Sequence, residues 1–103
     1  MATFSEENYL KTIFHLGKGG NSLVSTNAIA AKIKAKPSSV TDMIRKLSEK
    51  ALVNYVKYKG VSLTSQGKQE AINVIRKHRL WEVFLVDKLD FAWYEFHDIA
   101  EQL

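Results

Sequence analysis

Lys36-Pro37-Ser38-Ser39-Val40-Thr41-Asp42-Met43-Ile44-Arg45-Lys46-Leu47-Ser48-Glu49-Lys50 carries a clear helical pattern near the middle of the chain. Val40, Met43, Ile44 and Leu47 recur at i, i+3, i+4 and i+7, which is one apolar stripe along a helix. The positions between them are polar or charged, so the helix buries one face and presents the other. Pro37 is the only proline of the chain. Its fixed φ suits the first turn of a helix, where its missing N–H is not needed. Ser38 or Ser39 can cap that end.

Working outward on the N-terminal side, Lys34-Ala35-Lys36 reads as a tight turn. Before it comes a short helix capped by Ser25 or Thr26, with Ile29 and Ile33 turned inward. Leu23-Val24 is a short extended piece. A first helix is expected from Ser5, as its cap, to Leu16, with Glu6 and Glu7 at its positive end. Tyr9, Leu10, Ile13, Phe14 and Leu16 form its apolar face, and Gly17, Gly19 and Gly20 end it. His15 reads as a partly buried structural histidine.

On the C-terminal side the period changes. Val53, Tyr55 and Lys57 alternate with Asn54, Val56 and Tyr58, which is strand-like. Lys59-Gly60 reads as the turn and Val61–Thr64 as the returning strand. Thr64 or Ser65 then caps a long helix reaching about Asp87. A further helix is expected from Phe91 or Ala92, capped by Asp90, with Phe96, Ile99, Ala100 and Leu103 as its apolar face.

Short helix, tight turn, helix, hairpin is the order of a winged helix-turn-helix, whose second helix enters the major groove. The expected class is therefore mainly α (α+β). Residues 1–72 form the winged helix-turn-helix, and the helices of residues 73–103 follow it.

Charge supports that reading. The chain has 103 residues and a net charge of +4. Residues 32–79 hold twelve Lys/Arg against three acids, while residues 80–103 hold one Lys against six acids. A basic middle suits a polyanion and an acidic end suits a cation. There is no cysteine, which excludes disulfides and thiolate metal sites and fits a cytoplasmic protein. No apolar run approaches the length that crosses a bilayer, and the N-terminus is unlike a secretory signal, so no membrane partner is expected. No nucleophile constellation or phosphate-binding loop is present, which points away from an enzyme.

Against double-stranded DNA, Pro37, Ser38, Ser39, Thr41 and Asp42 open the helix expected in the groove. Ser and Thr reach base edges or phosphates, and free N–H groups at a helix start favour phosphate. Lys36, Arg45, Lys46, Lys57 and Lys59 are the expected phosphate contacts, which supply affinity and little sequence choice. Tyr55 and Tyr58 either reach a phosphate or pack on the core.

His78 and His97 each have Glu four residues on, Glu82 and Glu101. On a helix, i and i+4 share a face, so each pair can converge on one ion. With seven Glu in the chain, a given His has Glu at that spacing about one time in fifteen by chance. The alternative is a surface His–Glu hydrogen bond in each helix. Imidazole and carboxylate suit a divalent transition metal: Fe(II) or Mn(II) first, Zn(II) or Co(II) also.

These segments together resemble the diphtheria-toxin-repressor family of metalloregulators, which includes the manganese-transport regulators. The matching pieces are Glu7–Phe14, Pro37–Thr41, the wing Lys57–Gly67 and Arg76–Leu80, in the family's order and spanning nearly the whole chain. The resemblance implies a metal-dependent transcriptional repressor that binds palindromic operator DNA as a homodimer and controls iron or manganese homeostasis. It implies that residues 73–103 are metal-binding and dimerisation helices. It matches His78, Glu82 and His97 to one metal site of iron-responsive members, and Asn8 and Glu101 to positions that ligate a second ion. Manganese-type members carry acids where this chain has Asn8 and Lys11; an amide and an ammonium point away from a two-manganese cluster. A further Glu-His pair is implied just beyond Leu103, so the chain reads as a fragment or a shortened form.

The dimer surface is expected from Val74, Trp81, Val83, Phe84, Leu85, Trp93, Phe96, Ile99 and Leu103, with Tyr9 and Phe14 from the first helix. The main alternative is a winged-helix regulator that responds to a small organic ligand, its His–Glu pairs only structural. A second is a module whose winged helix contacts protein.

Overall fold

The computed structural model describes the backbone of residues 3–89 and the side chains of residues 3–84. The order is α1 (Phe4–Leu16), α2 (Thr26–Ile33), α3 (Pro37–Glu49), β1 (Val53–Val56), β2 (Gly60–Leu63) and α4 (Ser65–Leu89). It is a mostly helical fold with one small antiparallel sheet. The further helix expected near Phe91 lies outside the described residues. The chain divides into two compact units, Met1–Ile72 and Asn73–Leu103.

α1 begins one residue earlier than its sequence suggests, and its cap is Thr3, not Ser5. The Thr3 hydroxyl accepts from the Glu6 N–H, and the Glu6 carboxylate accepts from the Thr3 N–H, both at 3.2 Å. This reciprocal box satisfies two donors that Ser5, inside the helix, would leave open. Ser25 caps α2 through the Ala28 N–H at 3.0 Å. Lys34 at φ +62 ends α2 in the left-handed region, which makes the tight turn. Pro37 opens α3 as expected, but the cap residue is Lys36 with no side-chain hydrogen bond, so neither Ser38 nor Ser39 caps it. The Thr64 hydroxyl accepts from the Gly67 N–H at 3.0 Å at the start of α4.

In the first unit Leu10, Ile13, Ile29, Val40, Ile44, Leu47 and Val61 are fully buried, and Leu52, Val53, Leu63 and Ala71 join them. The α3 stripe is therefore the centre of the core, with Met43 packed at its edge. Each such side chain contributes about 1.5–3 kcal/mol of burial. His15 is exposed, in edge contact with Phe14, and not partly buried. It sits on the side of α1 opposite the buried Leu10 and Ile13.

Val53 pairs with Leu63 and Val56 with Gly60. Val24 bridges Val61, adding a third short edge. The turn is Lys57-Tyr58-Lys59, one step earlier than Lys59-Gly60, because Gly60 is already paired. β1 does not alternate: Val53 is buried, while Asn54, Tyr55 and Val56 are all exposed. β1 is the outer strand of the ribbon, whereas β2, covered on its other edge by Val24, stays buried at Gly60, Val61 and Leu63.

Candidate nucleic-acid interface and metal residues

The burial of Val40, Ile44 and Leu47 decides which side of α3 is free. Lys36, Pro37, Ser38, Ser39, Thr41, Asp42, Arg45 and Lys46 are all exposed. They form a ridge of small hydroxyls at the N-terminal end and cations further along. The Thr41 hydroxyl donates to the Pro37 carbonyl at 3.1 Å, which leaves its lone pairs to accept. Arg45 lies 3.8 Å from Asp42 in an ion pair with both partners exposed. Such a pair adds little stability but holds the guanidinium along the helix.

The wing stands beside this ridge. Tyr55 closes a largely apolar recess with Thr41, Ile44, Arg45, Ser48 and Glu49, and a more polar one with Ser25, Thr26, Asn27, Tyr58, Lys59 and Gly60. Lys57 and Lys59 are exposed at its tip. The aromatics do not pack on the core: Tyr55 is 46% and Tyr58 92% exposed. The sequence left both tyrosines between a phosphate and the core, and it marked Ser25 and Thr26 only as caps, with nothing to single out Asn27. The signal available was the cap at Ser25, which marks a helix start opening toward the same side.

α3 is tied to α1 by the Lys50 ammonium, 2.6 Å from the buried Glu6 carboxylate. That hydrogen bond holds the Glu6 carboxyl below its ordinary value of 4.5, against the upward push of burial and with help from the Thr3 bonds. The C-terminal end of the ridge is thereby anchored to α1 through Glu6.

In the second unit, His78 is half-buried on α4 and Glu82 is exposed one turn later, within Ser65–Leu89. Asn8 is exposed on α1, in the first unit. His97 and Glu101 lie outside the described residues. Among the described residues no group of three or more His, Cys, Asp or Glu is assembled.

Leu80, Trp81, Val83 and Phe84 are exposed on α4, with Trp81 edge-on to Phe84 at 5.4 Å. Leu80, Trp81 and Phe84 border an open recess of about 520 Å³, completed by Asn73, Arg76 and Lys77. The expected apolar surface shrinks elsewhere: Tyr9 and Val74 are buried, and Phe14 packs against the core. Leu85, Trp93, Phe96, Ile99 and Leu103 lie outside the described side chains. No helix among the described residues is long and apolar enough to cross a membrane.

Residues 1–61 match the model of the iron dependent repressor N-terminal DNA binding domain. Residues 64–103 match that of the iron dependent repressor metal binding and dimerisation domain. An uncharacterised helix-turn-helix-type transcriptional regulator of Methanocaldococcus jannaschii is 39% identical over 85 residues, 82% of this chain and 68% of that protein. The helix-turn-helix-type transcriptional regulator MntR of Bacillus subtilis is 40% identical over 86 residues, 82% of this chain and 59% of MntR. A manganese-dependent transcriptional repressor solved in complex with manganese superposes with a TM-score of 0.77 at 38% identity, over 93% of this chain and 44% of that one. The chain thus spans about half the length of several relatives it matches. An exposed, basic helix-turn-helix and wing, followed by a helix carrying a His–Glu pair, and matches that run through both segments place the chain in the iron dependent repressor family, to which it belongs.

Proposed function

We propose that this chain is the DNA-binding and metal-responsive part of a dimeric transcriptional repressor, loaded by a divalent transition metal. The observation that carries the reading is the α3 ridge, polar and basic over a fully buried Val40-Ile44-Leu47 stripe, beside a wing with lysines at its tip. Ser38, Ser39, Thr41 and Asp42 are the base-reading candidates. Thr41, with its proton committed to Pro37, would accept from an adenine or cytosine amino group. Lys36, Arg45, Lys46, Lys57 and Lys59 would neutralise phosphates.

The donor set fits a borderline divalent cation, since one imidazole and one carboxylate stand a helical turn apart on α4. His78 and Glu82 would hold the ion, with His97 as the third ligand and Glu101 nearby. Asn8, a neutral amide, and Lys11, a cation, fit a second dication poorly. Fe(II) suits this set at least as well as Mn(II), and Zn(II) or Co(II) is also accommodated. A bound metal supplies a positive charge and a fixed coordination geometry. The DNA-binding equilibrium would shift only as far as the residues that hold the ion bind it better in the competent arrangement. Among the described residues, the exposed Leu80-Trp81-Phe84 surface is the best candidate for the homodimer contact.

The test is a duplex-DNA titration with and without each of Fe(II), Mn(II), Zn(II) and Co(II), alongside direct metal binding, for the parent, His78→Ala and Glu82→Ala. Loss of metal binding and of metal-stimulated DNA binding in both variants is expected. If both kept metal-stimulated binding at the parent's metal concentration, this pair would not be the switch. The organic-ligand alternative would then lead.

A further inference from the structure

Tyr58 occupies a position that neither the backbone nor the core accounts for. It is the third residue of a tight turn that the Lys59 N–H closes on the Val56 carbonyl at 2.9 Å. Its φ is +68, where Gly or Asn ordinarily sits and a tyrosine is strained. The ring is 92% exposed, more than any other large apolar or aromatic side chain among the described residues, so it buries almost nothing within the fold. Strain held without return from packing points to a partner.

The surroundings state the partner's chemistry. Lys57 and Lys59 flank the ring, and the Lys57 ammonium lies 5.2 Å from its centroid. The surface is continuous with α3, because Tyr55 lines one recess with Thr41 and Arg45 and another with Tyr58 and Lys59. When a helix such as α3 occupies a major groove, a ribbon beside it reaches the adjoining phosphates and the minor groove. That groove is about 6 Å wide, too narrow for a helix but open to a ring between two cations.

We propose that Tyr58 is a specificity-determining residue, carried by the wing into the minor groove beside the bases that α3 reads, with Lys57 and Lys59 on the bordering phosphates. This rests on the DNA-binding reading above. Because A·T pairs lack the guanine amino group on the groove floor, the ring favours A·T at those flanking positions.

The experiment selects duplexes from a random-sequence pool with the parent and with Tyr58→Gly, in the presence of each divalent metal. It then measures affinity and salt dependence on the parent's selected duplex. Tyr58→Gly relieves the turn, so its melting temperature is expected at or above the parent's. Tyr58→Asn, also tolerant of positive φ, serves as the second variant. Both are expected to keep the inner bases, lose the flanking A·T enrichment and bind about tenfold more weakly at an unchanged salt slope. Lys57→Ala or Lys59→Ala lowers the slope by about 0.9 instead. Replacing flanking A·T with inosine·cytosine, which keeps the groove floor free of the amino group, leaves parent binding intact, whereas G·C weakens it. Identical flanks and affinities within twofold for parent and both variants would overturn the inference while leaving DNA binding standing. A parent that enriches no sequence would remove the DNA reading, and this inference with it.

Discussion

Gly60 sits at φ +136, and a Cβ there would meet the Val24 carbonyl oxygen at 2.5 Å. Neither partner can yield, because Val24 and Val61 exchange backbone hydrogen bonds at 2.8 Å at this point. Gly60→Ala is expected to cost about 2 kcal/mol or more, read as a lower midpoint in urea denaturation. The Glu6–Lys50 pair makes a pH-dependent claim. Glu6 has its carboxyl held lower in the folded than in the unfolded chain, chiefly by Lys50. Its stabilisation is therefore complete above about pH 4.5 and disappears as pH falls through the lower folded value. Lys50→Met is expected to lose about 1–2 kcal/mol near neutral pH and to converge with the parent well below pH 4, in urea titrations at both values. Equal losses at both would assign the effect to packing of the lysine stem.

At the scale of elements, α3 and the wing divide the work by chemistry. Ser39 and Thr41 stand at the opening of α3, whereas Lys57 and Lys59 stand at the ribbon tip, and all four are exposed. Replacing either hydroxyl residue by Ala is expected to change which bases are preferred, by about 1–3 kcal/mol at a position. Replacing either lysine weakens all duplexes alike. Uniform weakening by all four, in competition binding against a panel of duplexes, would refute the assignment of α3 as the reading element. Ile44→Ala tests the other face. Ile44 is 2% exposed in the centre of the core, and the substitution is expected to cost about 2–5 kcal/mol in urea denaturation.

For the whole molecule, the prediction concerns self-association. Leu80, Trp81, Val83 and Phe84 are between 46% and 71% exposed on one helix. If they form the homodimer contact, Trp81→Ala is expected to raise the dimer dissociation constant at least tenfold in sedimentation equilibrium. The same variant should reduce DNA affinity more for a two-half-site duplex than for a single half-site, since a twofold dimer presents two recognition helices about one turn apart. A monomeric parent at high micromolar concentration would remove this contact from the proposal.

The α3 stripe, the Pro37 opening, a cap at Ser25 or Thr26, another at Thr64 or Ser65 and the hairpin were legible in the sequence, because each rests on local periodicity or on one residue's backbone preference. The i, i+4 spacing of His78 and Glu82 was legible for the same reason. Tertiary structure decided what depends on neighbours distant in the chain. Thr3 displaced Ser5 as cap because the Glu6 carboxylate, held by Lys50 from 44 residues away, closes the box. Tyr9, Phe14 and Val74 went to the core or its edge rather than to a surface, while His15, Tyr55 and Tyr58 went to solvent. An amphipathic pattern says that a face will be covered, but not by what. Only packing distinguishes a side chain that meets its own core from one left for a partner.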